Sequence, residues 1–174
     1  MQRIEAINPE TTTGTIKALL NDVLKADGTI SSMVLTMANS PAVLEGFLRF
    51  SDALSGGTLS ARLRELIALA VAEVNDSPYC ISLHTAGARS LGVSGDDLTA
   101  CRRFSSADSK EEAALQFAFR VVITRGETSA EDLERIRRAG LSDAEIIEII
   151  ANVALNIFAN YFNKVAGVEM GSPV

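Results

Sequence analysis

Apolar residues recur at helical spacing along most of the chain. They return every three or four residues, and the apolar stretches end at glycines such as Gly28, Gly92 and Gly140. No stretch shows sustained two-residue alternation, and proline and glycine fall mostly between the helical stretches. The pattern therefore predicts an all-α fold.

Helix-start signals divide this pattern into separate elements. Ser40-Pro41, Ser60 and Ser77-Pro78 each place a capping residue before an apolar repeat. Three further starts have capping-box spacing: Ser109 with Glu112, Thr128 with Glu131, and Ser142 with Glu145. Ser60 and Ser142 each follow a leucine and open a long apolar helix, which suggests a duplicated helix pair.

The connections between these elements are short, and no linker separates domains. A chain of 174 residues suits one well-buried domain. We therefore predict a single domain over residues 1–174, with a core at about 40–168 and an N-terminal helical extension at 10–28.

Composition excludes several classes of partner. The net charge is −6 and no basic cluster occurs, which argues against nucleic acid and anionic membrane surfaces. The N-terminus lacks the apolar core of a signal peptide, and no 18-residue run is free of polar groups. Two cysteines do not make a disulfide framework. We predict a cytoplasmic protein.

The only histidine lies close to one of the two cysteines. Cys80 and His84 are four residues apart, so on a helix they share a face. With Ser77 as N-cap and Pro78 at the first helical position, Cys80 falls in the first turn, where the helix dipole favours a thiolate. The spacing predicts a reactive pair. The alternative is a buried cysteine and a histidine bound to a backbone carbonyl.

Two carboxylates could orient the imidazole. Glu65 interrupts the apolar face of the preceding helix, and contact with His84 across a helix pair is sterically allowed but not required. Glu73 lies nearer the connection, and a solvated Glu65 beside Arg64 is the alternative. One histidine, one cysteine and a carboxylate fall short of a structural zinc site, which takes four ligands. Cys101, the second cysteine, is expected to be structural.

The last apolar stretch, Ile146 to Val168, carries a polar repeat. Its members recur every four residues and are Glu148, Asn152, Asn156, Asn160 and Lys164. The repeat predicts the water-facing side of the helix, with a subunit interface or a site lining as the alternative. The many apolar residues around it favour a homo-oligomer.

A family resemblance rests on residues 65–84, ELIALAVAEVNDSPYCISLH, followed by Gly92. The segment resembles the AhpD-like, peroxidase-related branch of the carboxymuconolactone decarboxylase family, whose motif is a glutamate followed by C-x-x-C-x-x-x-H. Glu65, Cys80 and His84 match the glutamate, the second cysteine and the histidine. Residues 156–163, NIFANYFN, are similar to the family's last helix, so the resemblance covers about Ser40 to Val168.

The resemblance implies an all-helical fold in trimers or hexamers, and peroxide reduction or peroxiredoxin regeneration through a dithiol cycle. Glu65 and His84 would relay a proton from Cys80. The chain departs from the motif at Ser77, which replaces the first cysteine, so the local disulfide cannot form. Tyr79 is a candidate supporting donor.

We therefore expect a thiol-dependent, peroxidase-type oxidoreductase with Cys80 as nucleophile, His84 as base and Glu65 orienting it. The expected partners are a small peroxide or organic acid, an external thiol or Cys101 as reductant, and further copies of the chain. No cofactor is expected, because the chain has no Gly-rich phosphate loop. The alternatives are a lyase or isomerase acting on a small carboxylated lactone, and a non-catalytic binding or assembly protein.

Overall fold

The structure, a computed structural model, describes residues 1–170. Within that range the chain forms α-helices and no strand. In chain order they are α1 (Gly14–Asp27), α2 (Ser32–Met37), α3 (Pro41–Ser55), α4 (Ala61–Val74), α5 (Pro78–Ser90), α6 (Gly95–Cys101), α7 (Ser109–Ile123), α8 (Ala130–Arg138) and α9 (Asp143–Ala166). The predicted all-α fold is confirmed.

The chain divides into two compact units. The smaller comprises Met1–Asp52 together with the residues from Phe162 onwards, and the larger is Ala53–Tyr161. The prediction of one domain over 1–174 stays a prediction, and its residues 171–174 lie outside the described range. The predicted N-terminal helical extension at 10–28 is helical from Gly14 to Asp27.

In the larger unit, α4 is the central helix. It packs against α5, α6 and α7, and α7 packs against α8. Leu66, Ile67, Leu69 and Val71 of α4 are fully buried in one aliphatic core with Leu115 of α7. Because most of α4 is buried, its few polar side chains are partly shielded from water. Each of them therefore needs a specific hydrogen-bond or ion-pair partner.

The smaller unit is held by backbone and side-chain contacts of its own. The N-terminal segment before α1 contacts the end of α9, because the N–H groups of Arg3 and Ile4 donate to the carbonyl of Ala166. The Nδ2 of Asn163, a buried residue, donates to the sulfur of Met33 at 3.4 Å. These contacts fix the short α2, which is buried along nearly its whole length.

The helix starts were predicted with mixed success. Ser60 caps α4 through the N–H of Leu63, and the Ser142–Glu145 box is present. The other two predicted boxes are wrong. Asp108 caps α7 because its carboxylate accepts from two N–H groups, and the box of α8 is Ser129 with Asp132. In both cases an adjacent residue offers a better-placed oxygen.

The asparagines of α9 are not on its water-facing side. Asn152, Asn156 and Asn160 are buried, so that prediction is wrong. The Nδ2 groups of Asn152 and Asn156 donate to carbonyls one turn earlier in their own helix, which satisfies them locally. By length and composition α9 could cross a membrane, but a single such helix is weak evidence for a span, because the core helix of a soluble protein can have the same properties. Within its most apolar 18 residues, 39% are buried.

Candidate active site

Helix α5 begins where the sequence predicts. Pro78 is its first residue, Cys80 its third, and Gly92 beyond its end takes the left-handed conformation, with φ 81°. Ser77 occupies the N-cap position, but its side chain makes no capping hydrogen bond. Its hydroxyl is buried without a hydrogen-bond partner among the described residues. The predicted position of Ser77 is therefore right, and its predicted capping role is wrong.

Glu65 of α4 contacts His84 of α5. The Oε2 atom of Glu65 lies 3.0 Å from Nδ1 of His84, and both side chains are largely shielded from solvent. A carboxylate only accepts hydrogen bonds, so the proton of this bond belongs to Nδ1. The Nε2 atom is then left with its lone pair, and that is the nitrogen free to accept a proton from a third group.

Gly87 makes this contact sterically allowed. It lies three residues after His84 on the same face of α5, and a Cβ built on it would be 2.6 Å from Oε2 of Glu65. Any larger residue would displace the carboxylate. The prediction from the sequence missed Gly87, although a lone glycine inside an amphipathic helix is a signal of close packing.

Cys80 lies one helical turn before His84 and is 1% exposed. The i, i+4 spacing places its sulfur on the face of α5 that carries the imidazole. Cys80 is the third residue of α5 and so lies within its first turn. Tyr79, the neighbouring residue, is partly buried in the same turn.

The competing carboxylate, Glu73, has a different partner. It pairs with Nε of Arg102, just after α6. The connection between α4 and α5 is fixed on its other side by α9, because Nδ2 of Asn75 donates to Oδ1 of Asn160 at 2.9 Å. Asp76 in this connection has a φ of 48°, an uncommon conformation for a residue other than glycine. These contacts hold the start of α5 in place.

Cys101 lies in a different environment. Its thiol is buried and lies 3.2 Å from the carbonyl oxygen of Leu66, to which it donates. Burial, reinforced by the charges of Glu111 and Glu73, raises the pKa of Cys101 to about 12. The group therefore stays protonated near neutral pH and is a poor nucleophile.

A cleft of about 500 Å³ lies on another face of α5. It is lined by Pro78, Ile81, Ser82, Thr85, Arg89 and Arg102, among others. Ser82, Thr85 and Arg89 lie about 140° or more around the helix from Cys80. The cleft therefore does not open onto the Cys80–His84 face.

The site residues do not form a metal centre. Among residues 1–170, no group of three or more His, Cys, Asp or Glu side chains is arranged to hold a metal ion. The Glu65–His84 pair is thus best described as an oriented base beside a cysteine.

Part of the chain matches a known protein family. Residues 41–124, from α3 to α7, match the model of the carboxymuconolactone decarboxylase family. No curated protein matches the chain significantly. The predicted resemblance to the AhpD-like branch of the carboxymuconolactone decarboxylase family is confirmed.

Several solved structures share the fold. An uncharacterized peroxidase-related protein with an AhpD core, from Ralstonia eutropha JMP134, has a TM-score of 0.88 at 23% identity, over 98% of this chain and 93% of that one. The debrominase Bmp8, as a cysteine-to-alanine variant with 2,3,4-tribromopyrrole, gives 0.82 at 20% identity, over 97% and 91%. A peroxidase-related protein from Silicibacter sp. TM1040 gives 0.80 at 19%, over 98% and 94%. At these identities the likeness shows the fold alone.

Proposed function

We propose that the protein is a thiol-dependent reductase of small peroxides, with Cys80 as its nucleophile. The observation that carries the proposal is the 3.0 Å hydrogen bond between Glu65 and His84, on the face of α5 that also carries Cys80. An imidazole held by a carboxylate through Nδ1 is a base whose Nε2 is available. The i, i+4 spacing places Cys80 on the face of α5 that carries this base, so Cys80 is the proton donor that the proposal assigns to it.

The proposed reaction begins with proton transfer from Cys80 to Nε2 of His84. The thiolate attacks one oxygen of the peroxide, the S–O bond forms, and the O–O bond breaks. The departing alkoxide or hydroxide takes the proton from His84, so the products are a sulfenic acid on Cys80 and an alcohol or water. Glu65 keeps the imidazole oriented and stabilises its cationic form between the two transfers.

Regeneration needs two equivalents of an external thiol. The first condenses with the sulfenic acid, releases water and leaves a mixed disulfide, and the second releases Cys80 as a thiol. Neither Ser77 nor Cys101 is suited to reduce the sulfenic acid of Cys80. Ser77 carries a hydroxyl, and Cys101 is a protonated thiol bound to the carbonyl of Leu66.

The burial of Cys80 bears on the substrate. With 1% of Cys80 exposed, only a small molecule reaches the sulfur unless the first turn of α5 moves. Hydrogen peroxide and short alkyl hydroperoxides are therefore the expected substrates, and bulky lipid hydroperoxides are expected to react slowly.

A second candidate is thiol-dependent removal of a halogen from an aromatic ring. It is favoured by the fold shared with the debrominase Bmp8, whose cysteine-to-alanine variant was crystallised with 2,3,4-tribromopyrrole. In that chemistry the Cys80 thiolate would attack bromine, the S–Br bond would form as the C–Br bond breaks, and the ring carbon would take the proton held by His84. One external thiol would then displace bromide to give a mixed disulfide, and a second would return Cys80 as a thiol. Cys80, His84 and Glu65 would keep their positions in this reaction. His84 would give its proton to the ring instead of to an alkoxide or hydroxide.

The experiment is a turnover assay with an external dithiol and three substrates: hydrogen peroxide, a short alkyl hydroperoxide and a brominated pyrrole. We expect peroxide consumption that is abolished in Cys80→Ser, reduced in His84→Gln and Glu65→Gln, and retained in Cys101→Ala. Turnover of the brominated pyrrole alone would favour the second candidate. Activity that survives Cys80→Ser but not His84→Gln would contradict both, and would indicate the acid–base chemistry of a lyase or isomerase.

A further inference from the structure

Ser77 carries a buried hydroxyl group that makes no hydrogen bond within residues 1–170. The residue is 1% exposed, and its Oγ atom has neither a donor nor an acceptor partner there. Its backbone is nevertheless fixed, because its N–H donates to the carbonyl of Ala72 and its carbonyl accepts from the N–H of Ile81. Buried polar groups in folded proteins are nearly all paired, so this hydroxyl needs a physical explanation.

The positions of Ser77 and Cys80 at the start of α5 bring their side chains within reach of each other. Ser77 is the N-cap residue and Cys80 is the third residue of the helix. Side chains at these two positions are neighbours, as capping boxes and helix-starting C-x-x-C disulfides both show. Helix α8 has the corresponding contact, since Oγ of Ser129 donates to Oδ2 of Asp132 at 2.8 Å, and α9 repeats it at 2.9 Å. In both helices the acceptor is an anionic side chain.

An N-cap serine of this chain favours the ionised form of the acid three residues later. The hydroxyl of Ser94, at the N-cap of α6, lowers the pKa of Asp97, the third residue of that helix. Cys80 has the corresponding position in α5 and is also an acid. A neutral thiol is only a weak hydrogen-bond acceptor, whereas a thiolate carries a full negative charge. The hydroxyl of Ser77 therefore gains a strong acceptor only when Cys80 ionises.

We propose that the hydroxyl of Ser77 donates a hydrogen bond to the thiolate of Cys80 and stabilises its negative charge. The inference rests on the proposed function, in which Cys80 reacts as a thiolate. Ser77 and His84 then have separate roles: the imidazole takes the proton of Cys80, and the hydroxyl stabilises the sulfur left behind. Ser77 keeps its own proton throughout, so no bond between heavy atoms forms or breaks at this residue.

The pH dependence of Cys80 labelling tests this inference. The rate of modification by methyl methanethiosulfonate is measured in the folded protein from about pH 5 to about pH 10, because it follows the fraction of Cys80 that is a thiolate. A hydrogen bond to a charged group is strong enough to move the midpoint of this profile by about one pH unit or more. Ser77→Ala is therefore expected to raise the midpoint by that amount and to slow labelling about tenfold below both midpoints.

Ser77→Thr and Ser77→Val are a matched pair of variants, since the two side chains have nearly the same shape and only threonine has a hydroxyl. Ser77→Thr is expected to keep the wild-type midpoint, and Ser77→Val to shift it as far as Ser77→Ala. Ser129→Ala removes the capping serine of α8 and is expected to leave the profile unchanged.

A denaturant titration separates this role from a structural one. Ser77 makes no capping hydrogen bond and its hydroxyl is unpaired, so alanine at this position removes no existing contact of that group. At a pH well below the midpoint, where Cys80 is protonated, Ser77→Ala is therefore expected to be at least as stable as wild type. A purely structural serine would give the opposite pattern, with lower stability and an unchanged labelling profile.

The inference is overturned if Ser77→Ala keeps the wild-type midpoint, or if Ser77→Thr shifts it as far as Ser77→Val does. The rate of Cys80 oxidation by hydrogen peroxide distinguishes this result from a failure of the proposed function. If peroxide does not oxidise wild type but Ser77→Ala still raises the midpoint, the proposed function fails and the contact between Ser77 and the thiolate is supported. If peroxide oxidises wild type and the Ser77→Ala profile is unchanged, only the contact is refuted.

Discussion

Gly87→Ala tests whether the Glu65–His84 contact acts on Cys80. The added methyl group would lie 2.6 Å from Oε2 of Glu65, well inside van der Waals contact. The atom it meets is the end of a flexible side chain, so we expect the carboxylate to swing away and the backbone to stay in place. The substitution therefore removes the hydrogen bond to His84 without altering either partner chemically.

The substitution should affect the stability of the protein less than the reactivity of Cys80. A hydrogen bond to a charged group contributes about 1.5–3 kcal/mol, and alanine in place of glycine inside a helix contributes about 1 kcal/mol in the opposite direction. The unfolding free energy should therefore fall by only about 1 kcal/mol. If the lost bond is felt fully in the reaction of Cys80, its rate falls about tenfold or more, since about 1.4 kcal/mol corresponds to a factor of ten.

The assay is the rate at which a small thiol reagent, such as methyl methanethiosulfonate, modifies Cys80 in the folded protein. Gly46→Ala is the matched control, because Gly46 is also inside a helix and its Cβ would meet nothing within 4 Å. The double variant Gly87→Ala/Glu65→Gln should be no slower than Glu65→Gln alone. A folded Gly87→Ala protein with wild-type Cys80 reactivity would refute the reasoning.

Three further predictions concern groups outside the Glu65–His84 pair. Burial disfavours ionisation of Glu148, but the N–H groups of Thr58 and Leu59 outweigh it, so its pKa is lowered from 4.5. The stability it supplies is therefore present above about pH 4.5 and lost as the pH falls through the folded value. Glu148→Gln should cost about 1–3 kcal/mol at pH 7, and denaturant titrations should show the difference shrinking in acid; a constant difference would contradict this. Cys101→Ala should leave the modification rate of Cys80 unchanged, and Cys101 should label only after unfolding; labelling in the native state would contradict its raised pKa. Ser77→Cys should allow a disulfide with Cys80, seen by mass spectrometry as a loss of two hydrogens; persistent free thiols under oxidation would contradict the motif alignment.

The sequence predicted the helices well because their periodicity depends on local spacing. It failed at positions where neighbouring residues compete for the same role. Thr128 and Ser129 are both capping residues, and only the geometry of the turn decides that Ser129 bonds with Asp132. Similarly, Asp108 precedes Ser109 and its carboxylate reaches two N–H groups at once.

The site was predicted in part for a similar reason. The Cys80–His84 spacing is local and could be read from the sequence, whereas the choice between Glu65 and Glu73 depends on how α4 and α5 pack. That packing places Glu65 against Gly87 and His84, and turns Glu73 towards Arg102. The buried asparagines of α9 were misassigned because a polar repeat normally faces water. Asn152 and Asn156 donate hydrogen bonds within the helix, and Asn160 accepts one from Asn75, so each is buried with at least one polar partner.

The central claim is that Cys80, assisted by His84, is the residue that peroxide oxidises. Its most direct test is the rate of sulfenic acid formation in a single turnover with hydrogen peroxide, trapped with dimedone and measured by intact mass. The account predicts one adduct, located at Cys80, which forms much more slowly in His84→Gln and Glu65→Gln and at an unchanged rate in Cys101→Ala. An adduct on Cys101, or a Cys80 adduct that forms equally fast without His84, would contradict it.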